Sequence, residues 1–205
     1  MILVIDTSSS NVTVSIVDNN KIVYNFSKKV DNDIASKILP IIDNGFKEAN
    51  LDIKSVEKIL VVNGPGSFTG IRIGVTVAKT IGWALNINVV PISSLELMAT
   101  TESNKDYIVP LIDARRGNVY AGIYDKDLNV VMEDKLVSLD EIKEQDNSDC
   151  YFVSYDMLPI DTEKPVIDVL KVVNKHMNDE GISAHSLKPK YLKLTEAEEN
   201  RLKND

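Results

Sequence analysis

The segment NGPGSFTGIRIG at residues 63–74 constrains the fold of this chain more than any other feature. An apolar run at residues 59–62 precedes it and is typical of a buried strand, and residues 67–85 follow with a helical pattern. Five of the nine glycines lie in the segment or shortly after it, namely Gly64, Gly66, Gly70, Gly74 and Gly82. The glycines are therefore predicted where a strand turns into a helix, a place where α/β proteins often bind ligands.

A glycine loop that opens a helix can bind phosphate, because free N–H groups and the positive end of the helix dipole face the ligand. The spacing here does not fit the usual forms. A P-loop requires Lys followed by Ser or Thr after its last glycine, whereas Ile71 and Arg72 follow Gly70. The dinucleotide fingerprint G-x-G-x-x-G has one residue fewer between its second and third glycines than this chain has. Nucleotide binding by this loop alone is therefore disfavoured.

The helix that follows carries small residues at every fourth position, Gly70, Gly74, Ala78 and Gly82, which places them along one ridge. Each glycine inside a helix costs about 1 kcal/mol relative to alanine, so something must approach the ridge closely. The spacing is equally consistent with a helix of the same chain and with a helix of a partner. A bulky residue at Gly74 or Ala78 is expected to abolish pairing in the second case and to unfold the protein in the first.

A polar stretch at residues 101–106 separates two halves that both open with strand-like sequence. We predict two small α/β units, residues 1–104 and residues 105–205, with the last stretch a candidate for packing back on the first unit. The formal charge of −8 lies entirely in residues 101–205, which hold 14 Lys or Arg and 22 Asp or Glu. Such an acidic chain is a poor nucleic-acid binder by itself, because phosphate binding needs clustered positive charge.

Individual elements follow from local patterns. Apolar residues at 2–6 predict a first strand, and the first helix begins near Asp33, a residue type that caps helix N-termini. Residues 166–177 predict a helix, and the polar residues 195–205 predict a helical or frayed end. One cysteine, Cys150, allows no intrachain disulfide, and no apolar run is long enough to span a bilayer. A cytoplasmic protein without a signal peptide is expected.

Candidate catalytic residues are few. The two histidines, His176 and His185, do not have a metal-ligand spacing, and no serine lies in a G-x-S-x-G elbow. Asp6 ends the first strand and could hold a hydrated metal ion or cap a turn. Arg115 and Arg116 could grip a carboxylate or phosphate, or form a solvated cluster. No nucleophile, base and oxyanion donor come together, so no cofactor is expected.

Four motifs, in the same order along the chain, resemble those of the TsaB (YeaZ) family of bacterial tRNA threonylcarbamoyladenosine synthesis. They are IDTS at residues 5–8, GPGSFTGIRIG at 64–74, DARRGNVY at 113–120 and PKYL at 189–192. The glycine motif is specific by itself, and the four together span almost the whole chain.

The resemblance implies an α/β fold of the actin-like and Hsp70-like (ASKHA, ribonuclease H-like) class with two small subdomains. It implies a noncatalytic subunit that pairs with its paralogue TsaD through helices of the first subdomain, and that forms a homodimer when alone. With the ATPase TsaE, the pair transfers threonylcarbamoyl to the tRNA adenosine beside the anticodon, so tRNA contact is expected only within the complex. TsaD binds metal through histidines of its first-domain helix, whereas this chain has no histidine before His176.

The resemblance also implies which residues act. The implied partner interface consists of Ile34, Ile38, Ile41, Ile42, Gly70, Gly74, Val75, Ala78 and Gly82. Asp6, Thr7 and Asp113 would be the remnant of a phosphate or metal site. One position departs from the family, because Ile34 stands where a histidine usually lies about six residues before the proline of the first helix. Contact of tRNA with Arg115 and Arg116, or with the basic residues Lys188, Lys190 and Lys193, is left open.

Two alternatives belong to other functional classes. A free-standing ATPase or kinase of the actin-like fold would use Asp6 and Asp113 and would bind nucleotide tightly. A peptidase, in keeping with the older glycoprotease-like label of the family, is a weaker alternative because no metal ligands or catalytic triad are visible in the sequence.

Overall fold

The computed structural model describes residues 1–30, 33–144 and 148–192. The strands are β1 (Ile2–Asp6), β2 (Asn11–Asp18), β3 (Lys21–Lys29), β4 (Lys58–Gly64), β5 (Val89–Ser93), β6 (Tyr107–Arg115), β7 (Asn118–Asp125), β8 (Val130–Ser138) and β9 (Cys150–Val153). The helices are α1 (Ile34–Glu48), α2 (Phe68–Leu85), α3 (Ser94–Met98), α4 (Leu139–Glu144) and α5 (Val169–Lys175), and a short 3-10 turn lies at Ile53–Ser55. In these residues no helix is long and apolar enough to cross a membrane.

The first sheet has the strand order β3-β2-β1-β4-β5. The three strands β3, β2 and β1 are antiparallel neighbours, whereas β1, β4 and β5 run parallel. Every residue of β1 is buried, because both faces of the sheet are covered. Leu3 and Ile5 face a core shared with α1 and α2, whereas Ile2 and Val4 face a core shared with α5. This double burial explains the continuous apolar run at the start of the chain.

The second sheet has the order β8-β7-β6-β9 and repeats the first four positions of the first sheet, including the parallel pair at one end. The corresponding strands β1 and β6 carry an aspartate at the same structural place. Asp6 Oδ1 accepts a 2.7 Å hydrogen bond from Ser8 N, and Asp113 Oδ1 accepts a 2.8 Å hydrogen bond from Arg115 N. The two halves are therefore built on one topological plan.

Helix α3 joins the two sheets. Its residues Leu95 and Met98 are buried among side chains of the second sheet, including Tyr124. Ser93, at the end of β5, donates a hydrogen bond to Asp134 of β8, and Tyr124 donates a 2.5 Å bond to the same carboxylate. These hydrogen bonds connect the end of β5 in the first sheet to β7 and β8 in the second.

After β9 the chain returns to the first sheet. Val172 of α5 and Leu187 beyond it are buried in the two cores of that sheet. The predicted helix at 166–177 is shorter than expected: Asp168 caps its start by accepting a bond from Lys171 N at 3.1 Å, and the helix ends at Lys175. The prediction for residues 195–205 lies outside the described residues.

The start of α1 departs from its prediction. Asp33 occupies the N-cap position, but its backbone is left-handed (φ 56°) and its side chain caps no backbone N–H. Its carboxylate instead accepts a 2.7 Å hydrogen bond from the Ser36 hydroxyl. The position of the helix start was therefore correct and the capping role of the Asp33 side chain was wrong.

Candidate partner interface

The glycine loop between β4 and α2 is packed against the protein itself. Gly64 and Gly66 have φ angles of 134° and 147°, which L side chains rarely adopt. A Cβ atom on Gly66 would lie 2.5 Å from the carbonyl oxygen of Ser8, and one on Gly64 would collide with the Lys190 carbonyl. Ser67 N donates a 2.7 Å hydrogen bond to Ser8 O. The loop therefore braces the turn after β1 and the C-terminal segment, and it does not form an open cradle.

The ridge on α2 also faces inward. A Cβ atom on Gly70 would strike the carbonyl of Thr7, and one on Gly74 would lie 2.5 Å from Thr7 Oγ1. A Cβ atom on Gly82 would lie 3.0 Å from a methyl of Val89 and 3.2 Å from the Cβ of Ala184. The close neighbour is thus the turn after β1, together with β5 and the C-terminal segment. Among the described residues, none of the atoms nearest to these three glycines belongs to α1.

Most residues expected at the interface are therefore core residues. Seven of the nine expected residues are buried in this fold: Ile38, Ile42, Gly70, Gly74, Val75, Ala78 and Gly82. They lie on the faces of α1 and α2 that cover the first sheet, and Ile38 also borders the groove described below. Ile34 and Ile41 are half-buried and flank the same core.

The surface between α1 and α2 instead exposes a different apolar set. Leu39 is 56% exposed and Phe68 is 44% exposed, values that are unusual for large apolar side chains. They border an open groove of about 450 Å³. Its lining consists of Ala35, Ile38, Leu39, Phe68, Thr69, Arg72, Ile73, Thr76 and Val77. The sequence had a sign of this groove, because Leu39 lies off the ridge formed by Ile38 and Ile42.

An aromatic and cationic cluster closes one end of the groove. The Arg72 guanidinium carbon lies 3.7 Å from the centre of the Phe68 ring, and Arg72 Nε donates a 2.9 Å hydrogen bond to the Tyr191 hydroxyl. The rings of Phe68 and Tyr191 stack with centres 5.2 Å apart. Tyr191 belongs to the PKYL motif, so this motif contacts two residues of the groove lining, Phe68 and Arg72. Sequence reasoning missed the cluster because Arg72 and Tyr191 are 119 positions apart.

The three residues expected at a phosphate or metal site form hydrogen bonds with backbone groups of the protein itself. Asp6 is 7% exposed, and burial raises the pKa of its carboxyl although hydrogen bonds to Ser8 oppose the rise. Thr7 Oγ1 donates a 2.7 Å bond to the Gly70 carbonyl. Asp113 caps the turn after β6 and lies 3.6 Å from the Arg115 guanidinium. Within the described parts of the chain, no three His, Cys, Asp or Glu side chains group as metal ligands.

The basic residues fall into two separate places. Arg115 and Arg116 form the tip of the β6–β7 hairpin, where both have left-handed φ angles of 69° and 55°. The Lys188–Lys190 region is bound to the end of β4 through its backbone: Asn63 Nδ2 donates to Lys188 O at 3.0 Å, and Lys190 N donates to Asn63 O at 2.7 Å. Lys193 lies outside the described residues.

Comparison with known proteins adds an independent line of support. The family model of TsaD, tRNA N6-adenosine threonylcarbamoyltransferase, matches residues 28–153. The tRNA threonylcarbamoyladenosine biosynthesis protein TsaB of Bacillus subtilis is 30% identical, with 96% of each chain covered. TsaB of Escherichia coli is 28% identical over 62% of this chain and 56% of that one.

Solved structures agree on the fold. A Pseudomonas aeruginosa structure, described as an uncharacterized protein with similarity to peptidase YEAZ, superposes with a TM-score of 0.81 at 21% identity, covering 94% of this chain and 99% of that one. YeaZ from the same organism gives a TM-score of 0.79 at 21% identity, with 93% and 99% covered. The predicted α/β fold is confirmed, and it is the fold of the YeaZ structures. Since a TsaB protein is 30% identical along nearly its whole length, this chain belongs to the TsaB family.

Proposed function

We propose that this chain is a noncatalytic subunit of tRNA threonylcarbamoyladenosine synthesis, and that it binds a TsaD-type protein through the groove between α1 and α2. The curated relatives carry the name of this pathway, and the matching family model is that of the threonylcarbamoyltransferase. The observation that carries the proposal is the groove itself, where Leu39 and Phe68 are exposed together.

The groove suits a helix from a partner. Two helices that leave an apolar channel between them can accept a third helix, whose apolar side chains fill the channel at positions i, i+3, i+4 and i+7. Leu39 supplies an apolar wall from α1, and Phe68 and Ile73 supply one from α2. Ile34 and Ile41 stay in the proposal as half-buried flanks of α1. The buried glycine ridge contributes indirectly, because it fixes α2 against the sheet.

The proposed lack of catalysis rests on the hydrogen bonds of the two aspartates at equivalent places in the two sheets. Asp6 and Asp113 each accept a backbone N–H two residues further on, at 2.7 and 2.8 Å. These bonds fix the turns after β1 and β6, a structural use of aspartate. In this proposal the reaction occurs on the TsaD-type partner with a TsaE-type ATPase, in the cytoplasm, and tRNA is contacted only in the complex.

We further propose that the chain divides near residues 104 and 105, and that it self-associates weakly through the same groove in the absence of its partner. The two sheets support this division, because each has a core of its own in addition to the cluster that α3 shares with the second sheet. The exposed apolar surface supports self-association, because such surfaces tend to be covered.

The groove can be tested with one charged substitution and a matched control. Leu39→Asp places a carboxylate in the channel, whereas Val131→Asp makes the same kind of change on β8, where the side chain is 54% exposed and remote from the groove. We expect Leu39→Asp to weaken binding to the TsaD-type protein of the same genome by ~100-fold or more, and Val131→Asp to leave binding within ~2-fold. Binding is measured by calorimetry.

Two results would contradict the proposal. If the wild-type protein does not bind the TsaD-type protein at all, the proposed partnership is wrong. Equal binding by wild type and Leu39→Asp would place the contact elsewhere on the surface.

A further inference from the structure

Arg72 is held in a fixed orientation before any partner arrives. Its guanidinium stacks on Phe68 at 3.7 Å from the ring centre, and its Nε is committed to the Tyr191 hydroxyl at 2.9 Å. The Phe68 and Tyr191 rings stack on each other with an angle of 26° between their planes. An arginine held by two rings loses little conformational entropy on binding a further group.

The two terminal nitrogens of this guanidinium have no carboxylate partner in the described parts of the chain. Because Nε is used by Tyr191, the end formed by Nη1 and Nη2 is left to bind a ligand, and that end matches a carboxylate with two parallel hydrogen bonds. Arg72 is also the one charged residue in the lining of the groove. A single oriented positive charge thus stands at the end of an otherwise uncharged channel.

We propose that the partner helix bound in the groove carries one aspartate or glutamate beside its apolar side chains, and that this carboxylate binds Arg72 end-on. The inference rests on the proposed function and specifies the partner chemistry that the groove selects. A partner helix without the acid would cover the Arg72 guanidinium with apolar side chains and leave its charge unpaired. Such a helix would therefore bind the groove more weakly.

The same feature distinguishes a partner from a second copy of this chain. A two-fold self-contact brings the same patch together from both sides, so Arg72 meets a lining that offers another arginine and no carboxylate. The acids of α1 are engaged: Asp43 pairs with Lys47 at 2.6 Å, and Glu48 accepts from Asn44 at 2.5 Å. Arg72 therefore favours the heterologous complex over self-association.

The test measures two equilibria on the same variants, with the full-length TsaD-type protein of the same genome as the probe. Arg72→Glu reverses the charge in the groove, and Lys54→Glu makes the same reversal at an exposed residue outside it. We expect Arg72→Glu to weaken the heterodimer by ~30-fold or more and Lys54→Glu to change it by less than ~3-fold. Arg72→Gln should weaken it in the same direction by a smaller factor, and should lower its sensitivity to salt.

Self-association should respond in the opposite sense. Sedimentation of the isolated Arg72→Gln variant should show a homodimer at least as strong as that of wild type, because a like-charge contact has been removed. Unchanged circular dichroism of Arg72→Gln and Arg72→Glu shows that the fold survives, and a variant that fails this check is replaced by the other.

The possible results separate this inference from the groove proposal. If Leu39→Asp abolishes binding while Arg72→Glu changes it by less than ~3-fold, the proposed carboxylate contact of Arg72 is refuted, and partner binding in the groove is still supported. If Lys54→Glu weakens binding as much as Arg72→Glu, overall charge is responsible and the inference also fails. If neither Leu39→Asp nor Arg72→Glu weakens binding, both proposals are wrong.

Discussion

Replacement of Gly74 by alanine tests whether the small-residue ridge is packed inside the protein. The new Cβ atom would lie 2.5 Å from Thr7 Oγ1, closer than these atoms can approach. Thr7 is 1% exposed, and its hydroxyl donates a 2.7 Å hydrogen bond to the Gly70 carbonyl. The hydroxyl cannot rotate away without losing this bond, so the strain must be taken up by the sheet or by α2.

The expected change in the free energy of unfolding combines three effects, of which two destabilise the protein and one stabilises it. Overpacking a core costs about 1–3 kcal/mol. Loss of the hydrogen bond from Thr7 costs about 1 kcal/mol more. Replacing glycine by alanine inside a helix returns about 1 kcal/mol. We therefore expect Gly74→Ala to lower the free energy of unfolding by about 1–3 kcal/mol, measured by urea denaturation at 25 °C.

A second substitution isolates the contact. In Thr7→Ala the nearest atoms to the new Cβ, at 3.7 Å and 3.8 Å, are at ordinary contact distance. Gly74→Ala should then stabilise this background by up to about 1 kcal/mol, so that the two substitutions are coupled by about 2–4 kcal/mol. Equal destabilisation in both backgrounds would refute the direct clash. If Gly74→Ala instead leaves stability unchanged and weakens partner binding, the ridge is part of the interface.

Three further predictions concern other contacts. Gly70→Ala should destabilise the protein more than Gly82→Ala in urea, since the first meets a backbone carbonyl and the second meets methyl groups at 3.0 and 3.2 Å; the reverse order would contradict the packing. Burial opposes the charged form of His176, but hydrogen bonds to Glu96 and Asp179 outweigh it and raise its pKa above 6.5. His176→Gln should therefore lower stability below pH 6.5, and the difference should vanish as the pH rises through the raised pKa; a loss that is the same from pH 6 to pH 9 would show that the charge is irrelevant. Asp6→Asn should stabilise the protein at pH 7, because burial raises the pKa of Asp6 and an amide can still accept the bond from Ser8 N; lower thermal stability of Asp6→Asn would refute this.

Much of the secondary structure could be predicted because it is a local property. Apolar runs identified β1 and β4, and the strand–glycine–helix order placed α2 within one residue at its start. The spacing of the glycines also showed that something approaches α2 closely. The segment that approaches α2 could not be predicted, because Thr7 and Gly70 are 63 positions apart. Helical periodicity shows which face of a helix is packed, but it does not show what packs against that face.

The candidate site was harder to predict for the same reason. The resemblance included Ile38 and Ile42 in the expected interface, but the sequence could not show that these side chains are buried in the core whereas Leu39 is exposed. The cluster at Arg72 requires Tyr191, which the chain brings back only after forming the second sheet. Tertiary contacts between distant segments therefore decided which residues of the two helices are available to a partner.

The most direct test of the proposed interface is hydrogen exchange of the protein with and without its TsaD-type partner. Complex formation should slow exchange in residues 35–39 of α1 and residues 68–77 of α2, the segments that contain the groove lining. Exchange in β8 (Val130–Ser138) should stay unchanged. Protection of β8 or of the hairpin that carries Arg115, with no change along the groove, would contradict the account.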